Sequence, residues 1–80
     1  MSEWLVRLQD LSADIEFTIR QPIPTAALAV YQELKLNLQD QLVGGTLNEM
    51  SVSEPNELAC LEVINRDETL LYILTVETCS

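Results

Sequence analysis

Two breakers bracket the one stretch of helical periodicity in the chain. Gln21-Pro22-Ile23-Pro24 stands before it and Gly44-Gly45 after it. Proline cannot donate to a β-ladder and restricts the residue preceding it, so an extended run must end at Gln21. A helix is expected to follow, with Thr25 as N-cap and a body from Ala26 to Val43. Within it Ala27, Val30, Tyr31, Leu34, Leu38 and Leu42 recur at spacings of three and four and form a single stripe. Gln32, Glu33, Lys35, Gln39 and Asp40 fall largely off that stripe. Leu36 does not belong to it, and is expected to be partly exposed or to cover a neighbouring element. The glycine pair supplies the stop, because glycine enters the left-handed region without a side-chain clash.

The rest of the chain reads as strands and turns, with a period of two clearest before the helix. Residues 3 to 9 place Trp4, Val6 and Leu8 on one side of a strand and Leu5, Arg7 and Gln9 on the other. From Asp14 to Arg20, Ile15, Phe17 and Ile19 alternate with Asp14, Glu16, Thr18 and Arg20, the pattern of a sheet with one wet face. Asp10-Leu11-Ser12-Ala13 is short enough to join the two as a hairpin. After the helix, Thr46 to Ser53 is expected as a strand and Glu54-Pro55-Asn56-Glu57 as a turn. Leu58 to Ile64 and Thr69 to Thr78 form a second hairpin around Asn65-Arg66-Asp67-Glu68. Centring the turn between Arg66 and Asp67 pairs Ile64 with Thr69, Val63 with Leu70, Glu62 with Leu71, Leu61 with Tyr72 and Cys60 with Ile73. One face of the hairpin then carries Leu61, Val63, Leu70, Tyr72, Leu74 and Val76, the natural surface for the helix stripe to cover.

The expectation is one domain over residues 1–80 of the α+β class, order β-β-α-β-β-β, with an antiparallel or mixed sheet and one helix packed on one face. A helical reading of Leu58 to Val76 loses to the β-favouring Val63, Ile64, Thr69, Tyr72, Ile73, Thr75 and Val76.

Composition excludes several function classes. Thirteen acids against four bases give a formal net charge of -9, and Arg7, Arg20, Lys35 and Arg66 stand apart, so binding of nucleic acid through its phosphates is not expected. The same balance argues against an anionic membrane surface. The longest apolar run, Ala26 to Tyr31, falls far short of the roughly 20 residues of a bilayer span. Met1 to Leu8 carries Glu3 and lacks a basic leader, so no secretion signal is read there and the cytoplasm is the expected compartment. In that reducing setting Cys60 and Cys79 are expected as free thiols. Histidine is absent, which removes the usual general base, every Cys-His or Ser-His-Asp arrangement, and imidazole metal ligation. Asp14 with Glu16 and Asp67 with Glu68 lack the spacing of a catalytic pair or a calcium loop, and Gly44-Gly45 lacks the Lys and Ser/Thr of a phosphate cradle. No catalytic residue, cofactor or metal ligand is expected, and Trp4 and Tyr31 read as core aromatics.

The feature that points to function is the other face of the second hairpin, where Cys60, Ile64, Leu71 and Ile73 cluster between Glu62 and Glu77. Apolar residues on both faces of one hairpin need two covers, and the chain has one helix. Either the first hairpin folds over this face, or the face docks onto a partner protein with a basic rim or onto a second copy. The expected function is that of a small acidic protein-binding module: a regulatory subunit, adaptor or inhibitor that acts through Cys60, Glu62, Ile64, Leu71, Ile73 and Glu77. A second reading rests on the uneven charge. Glu49, Glu54, Glu57, Glu62, Asp67 and Glu68 crowd into residues 44–80 with Arg66 as the sole base. Such an acidic face suits a mimic of a phosphate backbone that blocks a basic groove. A third, a carboxylate-dependent enzyme or small-ligand binder, needs a pocket that one helix on a short chain scarcely encloses.

Overall fold

A computed structural model describes residues 3–52 and 55–78. The chain runs β1 (Trp4–Asp10), β2 (Ile15–Gln21), α1 (Pro24–Gln41), β3 (Thr46–Met50), β4 (Glu57–Ile64) and β5 (Leu70–Thr78). The five strands make one antiparallel sheet in the order β2-β1-β5-β4-β3, with α1 packed on one face: the α+β architecture and element order expected from the alternation.

α1 begins two residues earlier than the stripe suggests. Ile23 is the N-cap with extended backbone and no side-chain cap bond, and Pro24 takes the first helical position, where its missing N–H costs nothing. Thr25 is therefore inside the helix and caps nothing. At the other end Leu42 is extended while its N–H still bonds the Leu38 carbonyl, and Gly44 (φ 77°) turns the chain toward β3. Ala27, Tyr31 and Leu38 of the stripe are buried, Val30, Leu34 and Leu42 pack at its margin, and Leu36 points to solvent.

Beneath the helix, Val6 of β1, Leu61 and Val63 of β4 and Leu74 and Val76 of β5 are essentially inaccessible, with Trp4, Leu8, Leu47, Ala59 and Tyr72 around them. These residues face one another across the ladders: Val6 pairs with Val76, Leu8 with Leu74, Leu61 with Leu74 and Val63 with Tyr72. The core lies over the three middle strands for a dimensional reason. Five strands span about 19 Å at strand spacing, whereas one helix with its side chains is about 10 Å wide. α1 leaves the end of β2 at one edge of the sheet and delivers the chain to β3 at the other. It crosses the centre and leaves parts of both flanks bare.

The β4–β5 register departs from the expected one. Cys60 opposes Thr75, Leu61 Leu74, Glu62 Ile73 and Val63 Tyr72, two residues beyond the pairing of a simple turn. Two single-residue offsets add up to this. Asn65 and Thr69 close the turn, with the Asn65 N–H on the Thr69 carbonyl at 2.8 Å and the Glu68 N–H on the Asn65 carbonyl at 2.9 Å, and Glu68 takes the left-handed region (φ 70°). That is the three-residue hairpin geometry, one residue longer than a two-residue loop. The second offset is an irregularity between Val63 and Ile64, which leaves Leu71 without a partner on β4 and sets Leu70 opposite Ile64. Leu70 consequently leaves the face with Val63 and Tyr72 that it was expected to join.

Candidate functional site

Among the described residues no element lies over the face of the sheet opposite α1. β1 pairs with β5 along seven positions and β2 continues outward from β1, so the first hairpin widens the sheet instead of folding across it. The ladder pairs set out the content of this open face. At its centre Glu62 stands opposite Ile73, which is opposite Gln9, while Cys60 stands opposite Thr75, which is opposite Arg7. Toward β3, Ile64 pairs with Thr46, Glu62 with Asn48 and Cys60 with Met50. Toward the lower end Glu77 pairs with Leu5 and Glu57.

Of the six residues read from the sequence as a surface, Cys60, Glu62, Ile64, Ile73 and Glu77 thus share one face, all half-buried between neighbouring side chains. Leu71 falls at the β5 irregularity and helps line a small cavity at the C-terminal end of α1 with Leu38, Gln41, Leu42, Val63 and Tyr72. Sequence reasoning missed Arg7, which lies on the same face and joins three strands. Its Nη2 is 2.7 Å from Glu77 Oε1 and its Nε 3.2 Å from Glu16 Oε1. The signal was present in its place on the wet side of β1, but its reach to two carboxylates depends on the strand order. Asn48 donates to Glu62 at 3.3 Å and fixes the carboxylate at the β3 side.

The six acids of the alternative reading are not gathered on one face. Glu62 and Glu57 belong to the open face, Asp67 and Glu68 to the turn at the far end of the hairpin, and Glu54 lies outside the described residues. Glu49 pairs with Leu61 on the helix side, where Lys35 of α1 engages it.

The chemistry of the titratable groups is that of a surface. Burial first, then the Glu57 and Glu62 carboxylates, push the Cys60 thiol above its ordinary value, so it stays protonated and weakly nucleophilic near neutral pH. Cys60 is a free thiol, and Cys79 lies outside the described residues. Asp67 is held below the usual carboxylate range by the Thr69 hydroxyl and by the Thr69 backbone N–H, which donates to it at 3.0 Å. Asp10 is lowered in the same way by the Ser12 hydroxyl and by the Ser12 and Ala13 N–H groups. Both are turn-forming carboxylates with their acceptor capacity used locally. Among the described residues no three metal-ligating side chains converge, and no helix is long and apolar enough to cross a membrane.

Fold and site together define an α+β protein with the centre of one sheet face covered by a helix and, among the described residues, the other face open. No family model matches the chain, and no curated protein or solved structure matches it.

Proposed function

We propose that this chain is a protein-binding module whose open sheet face receives a partner protein, in the manner of a regulatory subunit, adaptor or inhibitor. The observation that supports it is that Ile73, at the centre of the face on a middle strand, has no covering element among the described residues while its diagonal neighbours Cys60 and Ile64 supply further apolar surface. Glu62 stands beside Ile73, Glu57 and Glu77 lie at the lower end of that surface, and Arg7 is engaged by two carboxylates. The complementary partner carries an apolar knob ringed by Lys or Arg.

The test is affinity capture from the native cell with wild type, Ile73→Asp and Leu36→Asp, each first shown by circular dichroism to be folded. Leu36 is exposed on the opposite side of the molecule, on α1. A partner held by wild type and Leu36→Asp but lost from Ile73→Asp supports the reading. A partner retained by Ile73→Asp and lost from Leu36→Asp places binding on the helix and overturns it.

A further inference from the structure

Three of the nine exposed large apolar side chains among the described residues stand in one row on β2. Ile15, Phe17 and Ile19 are 47%, 57% and 40% exposed, although all three lie on the helix side of the sheet, opposite Asp10, Leu8 and Val6. α1 crosses away from this edge and leaves a groove of about 260 Å³ between itself and β2, lined by Val6, Leu8, Phe17, Thr18, Ile19 and Leu34. β2 is also an edge strand, with one side of its backbone unpaired by the sheet.

We propose that β2 is a self-association edge: two copies of this chain pair β2 with β2 antiparallel about a two-fold axis at Thr18, forming one continuous sheet. The sequence of the strand is complementary to its own reversal in that register. β2 runs from Ile15 to Gln21 with Thr18 at its exact middle, so all its residues find partners. On the open-face side Glu16 of each copy, which also contacts Arg7, meets Arg20 of the other, which lies 3.4 Å from Glu3 of its own chain. On the helix face Phe17 of each meets Ile19 of the other, beside the groove at Leu34. Opposite charges and an aromatic with a β-branched residue are the favourable cross-strand pairs. An isologous contact of this kind closes as a dimer and does not propagate.

The other edge of the sheet carries the opposite design. Glu49 of β3 points to the helix side and engages Lys35, and the same operation about Asn48 would set Leu47 against Glu49 of the second copy. An inward-pointing charge blocks edge pairing, whereas the helix-facing positions of β2 are apolar and its pairing with β1 is free of bulges. This edge lies at the β2 margin of the open face, away from Ile73, and in the dimer two copies of that face lie side by side.

Sedimentation equilibrium of the full chain over a concentration series at physiological salt provides the test. Wild type is expected to dimerise reversibly. Phe17→Glu, at a residue more than half exposed and first shown by circular dichroism to be folded, should raise the dissociation constant by more than about 100-fold by opposing an apolar partner with a carboxylate. Glu16→Arg and Arg20→Glu should each weaken the dimer by about tenfold, and the double variant should recover it, because the exchanged charges meet across the two-fold axis. Wild type that is monomeric throughout, a dimer indifferent to Phe17→Glu but broken by Ile73→Asp, or a double variant no tighter than either single one would overturn the proposal.

Discussion

Gly45 shows how much a single missing side chain decides. A Cβ there would stand 2.5 Å from the Ile64 carbonyl oxygen and 2.6 Å from Leu42 Cδ1. The backbone after α1 must therefore pass directly against β4 to begin β3, and the carbonyl is part of a ladder that does not yield. Gly44 differs: its constraint is φ of 77°, while the atoms near its absent Cβ belong to the flexible Arg66 side chain. Gly45→Ala is expected to destabilise the fold by about 1–3 kcal/mol through this overlap, the range for overpacking at a rigid site. Equilibrium urea denaturation measures it. A midpoint equal to wild type would mean that the helix-to-strand connection shifts freely. The pair was legible in the sequence as a helix stop, yet the demand for a second glycine was not, because it comes from β4, a strand distant in the chain.

At the scale of elements, the sequence alternation predicts faces better than it predicts registers. Leu61, Val63, Tyr72, Leu74 and Val76 occupy the helix side as expected, although every pair in the hairpin is displaced. A one-residue slip inverts a strand, and a two-residue slip restores it. The longer turn supplies the first offset and the irregularity at Leu71 the second, so the expected face is lost at Leu70 and Leu71 and regained from Tyr72 onward. Glu68 is the residue that the sequence could not flag. A glutamate at positive φ is uncommon, and a polar Asn-Arg-Asp-Glu run suits a two-residue or a three-residue loop equally. Glu68→Gly is expected to stabilise the protein by up to about 1 kcal/mol, since relief of the left-handed strain outweighs the entropy that glycine adds to the unfolded chain. Glu68→Pro should destabilise it strongly, because proline forbids that φ and removes the N–H that bonds Asn65. Thermal melts of the two variants check the sign. A lower melting temperature for Glu68→Gly would show that the glutamate side chain holds the turn by an interaction of its own.

For the whole molecule, the open face was foreseeable because a count of covers against apolar faces falls short by one, but the bare edge was not. Ile15, Phe17 and Ile19 looked like an inward row, and only the strand order shows that α1 passes them by. Charge is the other property that belongs to no single element. Arg7, Arg20 and Lys35 are each already engaged by carboxylates, so a formal charge of -9 is left to act on the fold as a field. The folded chain has a radius of gyration of 12.6 Å, close to the screening length of about 10 Å at 0.1 M salt, so at low salt acids on opposite sides still repel and above that concentration they largely do not. Unfolding moves the same charges apart, which makes repulsion a term that favours the unfolded state. Sodium chloride added to a dilute, monomeric sample at pH 7 should therefore raise the melting temperature, steeply at first and then to a plateau as the screening length drops below the molecular radius. The rise should shrink in Glu57→Lys with Glu68→Lys, which removes four units of negative charge from surface positions. If salt instead lowers the melting temperature of wild type, then the ion pairs at Arg7, Arg20 and Lys35 contribute more than the surrounding acids cost, and the acidic excess is not a load on the fold.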